Sequence, residues 1–406
     1  MSSDSFGPSH AIAPRLMAIV FILLAGVLTG AQLGKIAPLI PWYRNEVGFS
    51  LVEAGWLAAI LGIFIALAAL PAGWLIDRIG LKRSIMTGAL LLAAGGIALA
   101  LAETPVAIFA ARLVEAVGYL ALCVALPAIL ADISPVNWKG PVLAIWSGFV
   151  PLGFATSDFL ALAMLPFYAP PAYLLTMVLL FAVLAAGALW LVSGIAVSAP
   201  AGATGGVSKT LSLPVVLVAV AFGAFVVLSV SMFTFMPTFV AGDGAHFLIS
   251  AGVVALSVPV GNILASVLVR GRGAGYMARL AVFGFAVSAA TGVPAFTLAD
   301  PVLATVSVLA LAISGALVAS AQFAAIPLIT PRGGSVPVAI GLVCQAGGLG
   351  TVFGPPLAAS VVEAFGWSGF GWFLSAVAVV GLACMLPILS RYPAAKASAA
   401  DAPRAP

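Results

Sequence analysis

Charged side chains are what this chain has least of: 16 Lys or Arg and 12 Asp or Glu among 406 residues, 7% of the total, where a soluble globular chain carries about 25%. Histidine is scarcer still. Only His10 and His246 occur, both near the edges of apolar runs, so no histidine-based catalytic site suggests itself. Cys123, Cys344 and Cys384 stand in no metal or redox spacing and are expected to pack as small buried hydrophobes. There is no G-x-x-x-x-G-K-[ST] phosphate loop, which argues against ATP as an energy source within this chain. There is also no basic run interleaved with aromatics, so no nucleic-acid partner is expected. No catalytic residue, resident cofactor or metal is expected, and the chain reads as a non-enzyme.

What the sequence has in abundance is apolar length. Hydrophobic residues make up 63% of the chain and the mean hydropathy is +1.25. Uninterrupted runs recur that suit helices crossing a hydrocarbon core of about 30 Å. Barrel strands would show alternating segments of about 10 residues, a pattern not seen here. Twelve spans are predicted, at 17–41, 51–76, 84–102, 105–131, 141–165, 171–195, 214–240, 246–270, 277–298, 301–329, 335–362 and 369–390. The fold class is an all-α integral membrane protein. The polar N-terminal stretch precedes a run too long for a signal peptide and without a small-residue cleavage site, so the run is expected to be retained as span 1.

Basic residues predict the orientation. Thirteen of the 16 fall on one side if loops alternate, from Arg15, Arg78, Lys82 and Arg83 through to Arg404. By the positive-inside rule both termini are cytoplasmic, and a multi-pass protein of the cell inner membrane is expected. The same asymmetry accounts for a pI near 9.1. The longest internal loop, "AVSAPAGATGGVSKTLSLP", is rich in Gly, Ala, Ser and Pro and suits a flexible linker. It divides the chain into a six-helix bundle at 1–195, a cytoplasmic linker at 196–213, a second six-helix bundle at 214–390 and a tail at 391–406. Two such halves are the arrangement of many secondary transporters, whose central site opens alternately to each side.

The segment "GWLIDRIGLKR", residues 73–83, has the form G-x-x-x-D-R-x-G-x-[KR]-[KR], with Gly73, Asp77, Arg78, Gly80, Lys82 and Arg83 at its fixed positions. It resembles the signature between the second and third helices of the major facilitator superfamily. In span 4, "ARLVEAVGYLALCVALP" is similar to a family pattern of an arginine followed by glycines. Arg112 and Gly118 fit it, while Glu115 and Ala116 replace the usual glutamine and first glycine. The resemblance implies a twelve-helix secondary transporter working by alternating access. Asp77, Arg78, Lys82 and Arg83 would form ion pairs at a cytoplasmic gate, with Asp132 as a partner. The matching loop of the second half, "VLVRGRGAGYMAR", lacks the Asp-Arg pair, so the halves should contribute unequally to that gate.

Four ionisable residues lie well inside spans: Lys35, Arg112, Glu115 and Asp158. Charges at such depth are rare, face the interior of a bundle and are functional candidates by default. At about 1.5 Å per residue, Lys35, Arg112 and Asp158 lie roughly 10 Å inside the same boundary. Glu115, at i+3 from Arg112, projects from nearly the same face. Either the four pair internally as a neutral quartet, or Lys35 and Arg112 attract a solute while Glu115 or Asp158 loads and releases a proton. Gln32, Phe233 and Gln322 are further candidate solute contacts, the last because the resemblance places span 10 on the solute path. Gln345 and Asn262 are polar residues of the second half that either bridge helices or complete a site.

The stretch "SMFTFMPTF" puts Met232 and Met236 four apart on one helix face, and thioether sulfur is a soft ligand suited to Cu(I). It is similar to a Met-x-x-x-Met element of the superfamily's copper importers, but the His-x-x-x-Met pair of that group has no match in the next span. The sequence also admits a riboflavin-type transporter, with Phe233 or Phe235 against the ring, and a drug or metabolite exporter. The two buried cations lean towards proton-coupled uptake of a small polar or anionic organic solute. The expected partners are that solute, a proton gradient and the lipid bilayer, and the chain is expected to act as a monomer.

Overall fold

A computed structural model describes residues 12–135, 142, 145–146, 148–195, 207–244, 247–269, 272–334 and 336–392. Its long helices are α1 (Ile12–Gly34), α2 (Leu51–Ala59), α3 (Ile63–Ile79), α4 (Leu81–Ala100), α5 (Pro105–Ile133), α6 (Phe149–Met164), α7 (Pro170–Ser193), α8 (Leu213–Ala241), α9 (Ala251–Val269), α10 (Ala274–Thr297), α11 (Pro301–Ile329) and α12 (Val336–Arg391). The expected linker falls mostly, and the expected tail almost wholly, outside the described residues.

Long apolar helices account for eleven of the twelve predicted crossings, and the fifth is described as the shorter apolar helix Phe149–Met164. Helices α2 and α3 form one span, separated only by a 3₁₀ turn at Ile60–Gly62. The 56 residues of α12 are two spans, because at about 1.5 Å per residue they would extend roughly 84 Å, far beyond one hydrocarbon core. The chain breaks there at Gly366, whose φ of 68° and ψ of −170° only glycine adopts readily. Leu67, Leu90, Phe167, Trp190, Val267 and Trp372 are exposed on the outside of the bundle. Such apolar surface would be a liability in water, whereas against lipid tails it meets its own kind.

Prolines shape span 1. Pro38 and Pro41 each lack an N–H, so the regular helix stops at Gly34 and gives way to a 3₁₀ turn at Ala37–Leu39, a short turn at Ile40–Trp42 and a π turn at Tyr43–Val47. The span therefore continues some six residues past its predicted end. Gly48 closes it with a φ of 81°. Three helix starts on this far side, opposite the start of α1, carry side-chain caps: Thr104 accepts from Ala107 N–H, Asp300 from Leu303 N–H, and Ser50 forms a capping box with Glu53, whereas α7 starts after Ala169 without one.

In the first half α1 packs on α6 and α7, and α4 on α5 and α7; in the second, α8 packs on α12, and α10 on α11 and α12. The two most extensive contacts between the halves are span 2 (α2 and α3) on the first part of α12 and α6 on α9, with smaller ones from the Ala37–Leu39 turn and α6 to α8. Shifting each span number by six turns the pair 2 and 11 into 8 and 5, so the two contacts are related by pseudo-two-fold exchange. The crossing is close enough that a Cβ on Gly348 would stand 2.5 Å from the Ala66 backbone nitrogen.

Candidate functional site: a buried charge network

Three of the four expected charges meet inside the first half. Glu115 bridges the two cations, one carboxylate oxygen on Lys35 Nζ and the other 2.7 Å from Arg112 Nη1. All three side chains are 0% exposed. Lys35 Nζ also donates to Gln32 Oε1 at 2.8 Å. Arg112 Nη1 donates to the Gln32 carbonyl at 3.0 Å and Nε to the Leu57 carbonyl at 3.1 Å.

Both carbonyls are available because helices are interrupted there. The Gln32 carbonyl lies in the last turn of α1, where the chain leaves the regular helix at Gly34 and carbonyls lose their intrahelical donors. The 3₁₀ turn at Ile60–Gly62 disturbs the i→i−4 ladder just where the Leu57 carbonyl would be used. The guanidinium thus sits on the negative end of α1, an arrangement the helix dipole favours. The network carries two positive charges and one negative, so among the described residues one positive charge is offset by these carbonyls alone. Arg112 Nη2 and Gln32 Nε2 are buried donors with no hydrogen-bond partner among the described residues.

Room for Glu115 comes from span 3, which sequence reasoning did not single out. A Cβ on Gly95 would lie 2.6 Å from Glu115 Cγ and 2.7 Å from its backbone nitrogen. One on Gly96 would lie 3.1 Å from Glu115 Oε1 and 3.5 Å from Lys35 Nζ. The signal for this was the adjacent glycine pair in the middle of an apolar run.

Asp158 does not join the network, so the quartet is not assembled. Its neighbour Ser157 faces α1, donating to the Ala31 carbonyl at 2.9 Å. Successive residues of a helix point about 100° apart, which turns Asp158 towards α9, where it accepts from Gly252 N–H. The shared depth is real nonetheless, since Tyr173 Oη lies 3.2 Å from the Ser157 carbonyl and 3.4 Å from that of Lys35. Asp158 and Phe233 line a small cleft between the halves with Ala37, Pro38, Pro237 and Ala255, and the Phe233 ring lies 5.7 Å from that of Phe154.

The other second-half candidates stand apart from the charges. Gln322 is 0% exposed, its Nε2 3.8 Å from Met385 Sδ and its Oε1 without a partner among the described residues. Asn262 Oδ1 accepts from Ser320 at 3.1 Å, and Gln345 is partly buried. Met232 and Met236 are buried in the hydrophobic core.

Residues 22–333 match the family description of the Major Facilitator Superfamily, well over half of the chain. The chain belongs to the major facilitator superfamily. In the superfamily signature segment, Gly80 has a φ of 89° at the turn between α3 and α4. Lys82 Nζ donates to the carbonyls of Ser193 and Ile195, at 3.2 and 3.0 Å, and so meets the negative end of α7. Arg83 is exposed and Asp132 partly buried. The surroundings of Gly73, Asp77 and Arg78 lie outside what the structure describes.

The superfamily fold is also that of two solved structures of a bacterial homologue of the human lysosomal transporter Spinster. The inward-facing, unoccupied form has a TM-score of 0.68 at 15% identity, covering 93% of this chain and 96% of that one. The inward-facing, occupied form has a TM-score of 0.71 at 14% identity, covering 95% and 96%. Among curated proteins, the arabinose-proton symporter of Escherichia coli (strain K12) is 29% identical over 139 residues, 34% of this chain and 29% of the symporter. The galactose-proton symporter of the same strain is 26% identical over 130 residues, 32% and 28%. Each alignment thus spans less than a third of the symporter's length.

Proposed function

We propose that this transporter moves a small polar or anionic organic solute across the inner membrane by proton-coupled uptake, with both termini cytoplasmic. The observation that carries the reading is the buried Lys35–Glu115–Arg112 network. Apolar side chains of similar volume would generally stabilise a bundle as well as buried ion pairs do, so three charges held out of water point to a use beyond packing. Protonation of Glu115 removes the charge that both cations share and leaves two cations to be met from elsewhere, by a solute oxygen or carboxylate. The donors on Arg112 and Gln32 that have no partner among the described residues support the same use, since a buried N–H without an acceptor is costly. The sugar-proton symporters among the relatives support the coupling ion and make sugars and sugar acids the first solutes to test.

The resting conformation fits an inward-facing state. On the far side the halves touch through Trp56 and Phe353, with ring centroids 6.3 Å apart, and through Phe154 and Phe233. The Spinster homologue of like fold was captured facing inward, which supports the same assignment here. The test is uptake of a sugar and sugar-acid panel into proteoliposomes, with and without an inward-directed pH gradient. One solute should accumulate only with the gradient, and Lys35→Ala and Arg112→Ala should abolish this while remaining folded. Near-normal uptake by both variants would sink the proposal.

A further inference from the structure

Two carboxylates outside the charge network each meet the start of a helix belonging to the other half. Helix α2 opens with Ser50 as its N-cap: Ser50 Oγ accepts from Glu53 N–H at 3.1 Å and the Ser50 carbonyl from Ala54 N–H at 3.1 Å. That leaves the first two amides of the helix, a site where negative charge is favoured. Glu363, from the first part of α12, accepts both: Leu51 N–H at 2.7 Å and Val52 N–H at 3.3 Å.

Helix α9 opens in the same way. Ser250 is positioned as its cap, Oγ 3.4 Å from Val253 N and the carbonyl 3.2 Å from Val254 N. The second amide of the helix, Gly252 N–H, is taken by Asp158 from α6. A Cβ on residue 252 would stand 2.9 Å from the Asp158 carboxylate, so glycine admits the oxygen to the backbone. The two arrangements exchange under the six-span shift: span 11 caps span 2, and span 5 caps span 8. Both lie on the far side, in the two most extensive contacts between the halves.

We propose that Asp158 and Glu363 are paired latches that hold the far side closed and release together when the transporter opens there. Each helix has its own serine for local capping, so the added carboxylate is not needed to start it. What it adds is a bond between the halves. Separating them removes both carboxylates from their helices at once, and the serine caps stay behind to keep α2 and α9 intact. Asp158 is only 7% exposed whereas Glu363 is exposed; solvent screens the second, so Asp158 should be the stronger latch.

The inference rests on the alternating-access reading, but its test needs neither solute nor proton gradient, so an uptake panel that fails leaves it standing. Hydrogen–deuterium exchange is measured on the full chain in nanodiscs, following the amides of residues 51–56 and 251–256. In Asp158→Ala, exchange should rise in both segments, by on the order of tenfold, and in Glu363→Gln in both by about twofold. Asp158→Asn keeps an acceptor for Gly252 N–H without the charge; should the alanine variant not fold, it serves instead, with a smaller rise in both segments. A rise confined to the segment that lost its own carboxylate would mean two independent local caps, and no rise in either would mean no latch; each overturns the proposal.

Discussion

Replacing Glu115 by glutamine should separate the stability of the charge network from its use in transport. The change takes the network from a net charge of +1 to +2 while altering the shape of the side chain little. Removing one partner of a buried pair costs about 3–5 kcal/mol, because a charge is left without compensation. For a cooperative unit of about 200 residues this lowers the unfolding midpoint by roughly 10 °C. Adding Lys35→Met returns the net charge to +1 and fills the lysine's volume with an unbranched apolar chain, so most of the lost stability should return. Uptake should not return, because neither the carboxylate proposed to exchange a proton nor one of the cations is present. The measurements are thermal unfolding in detergent and gradient-driven uptake in proteoliposomes. Wild-type uptake by the double variant would refute the reasoning, and so would an unfolding midpoint of Glu115→Gln within about 2 °C of wild type.

Arg112→Lys keeps the charge but replaces a fork of donors, which serves Glu115 and two backbone carbonyls, by a single ammonium. Uptake should fall at least about tenfold with the protein still folded, as read by transport and size-exclusion profiles in parallel. Gly95→Ala brings a methyl group 2.7 Å from the Glu115 backbone nitrogen, and because backbone cannot yield as a side chain can, the variant should lose on the order of 1–3 kcal/mol or more in thermal unfolding.

Much of the architecture is legible in the sequence because lipid imposes a length and a composition on every span. The buried charges are legible for the same reason, since each interrupts an apolar run. Which way they face is not. Depth follows from counting residues, but the direction of Asp158 depends on which face of α6 lies against α1, and that is decided by the small residues of the crossing, above all Gly153. Glu363 escapes notice because it sits near the end of span 11, where a charge looks like ordinary boundary polarity. Its partners are two backbone amides some 310 positions away, and backbone donors leave no mark on a sequence. The glycine pair in span 3 is visible, but the carboxylate that needs the space lies on another helix.

The crossing of α1 and α6 offers a sharper test of how the network and the Asp158 contact depend on one another. The hydrogen bond from Ser157 Oγ to the Ala31 carbonyl spans it, and the two backbones approach directly at Gly30, Gly34 and, most tightly, Gly153. A hydrogen bond between membrane helices contributes about 0.6 kcal/mol, so Ser157→Ala should change neither unfolding nor uptake measurably. A Cβ on residue 153, by contrast, would lie 2.2 Å from the Gly30 carbonyl carbon and 2.3 Å from the Ala31 nitrogen. Neither atom belongs to a side chain that can swing aside, so in Gly153→Ala the helices themselves must part, at a cost above the usual 1–3 kcal/mol or so for overpacking. Parting them displaces the end of α1, which carries the Gln32 carbonyl and Lys35, and on the other face of α6 it shifts Asp158 against Gly252. Gly153→Ala should therefore lose uptake and raise amide exchange at residues 251–256 together. If Ser157→Ala were the more damaging of the two, the hydroxyl rather than the backbone contact would be what fixes α6, and the packing argument would fail.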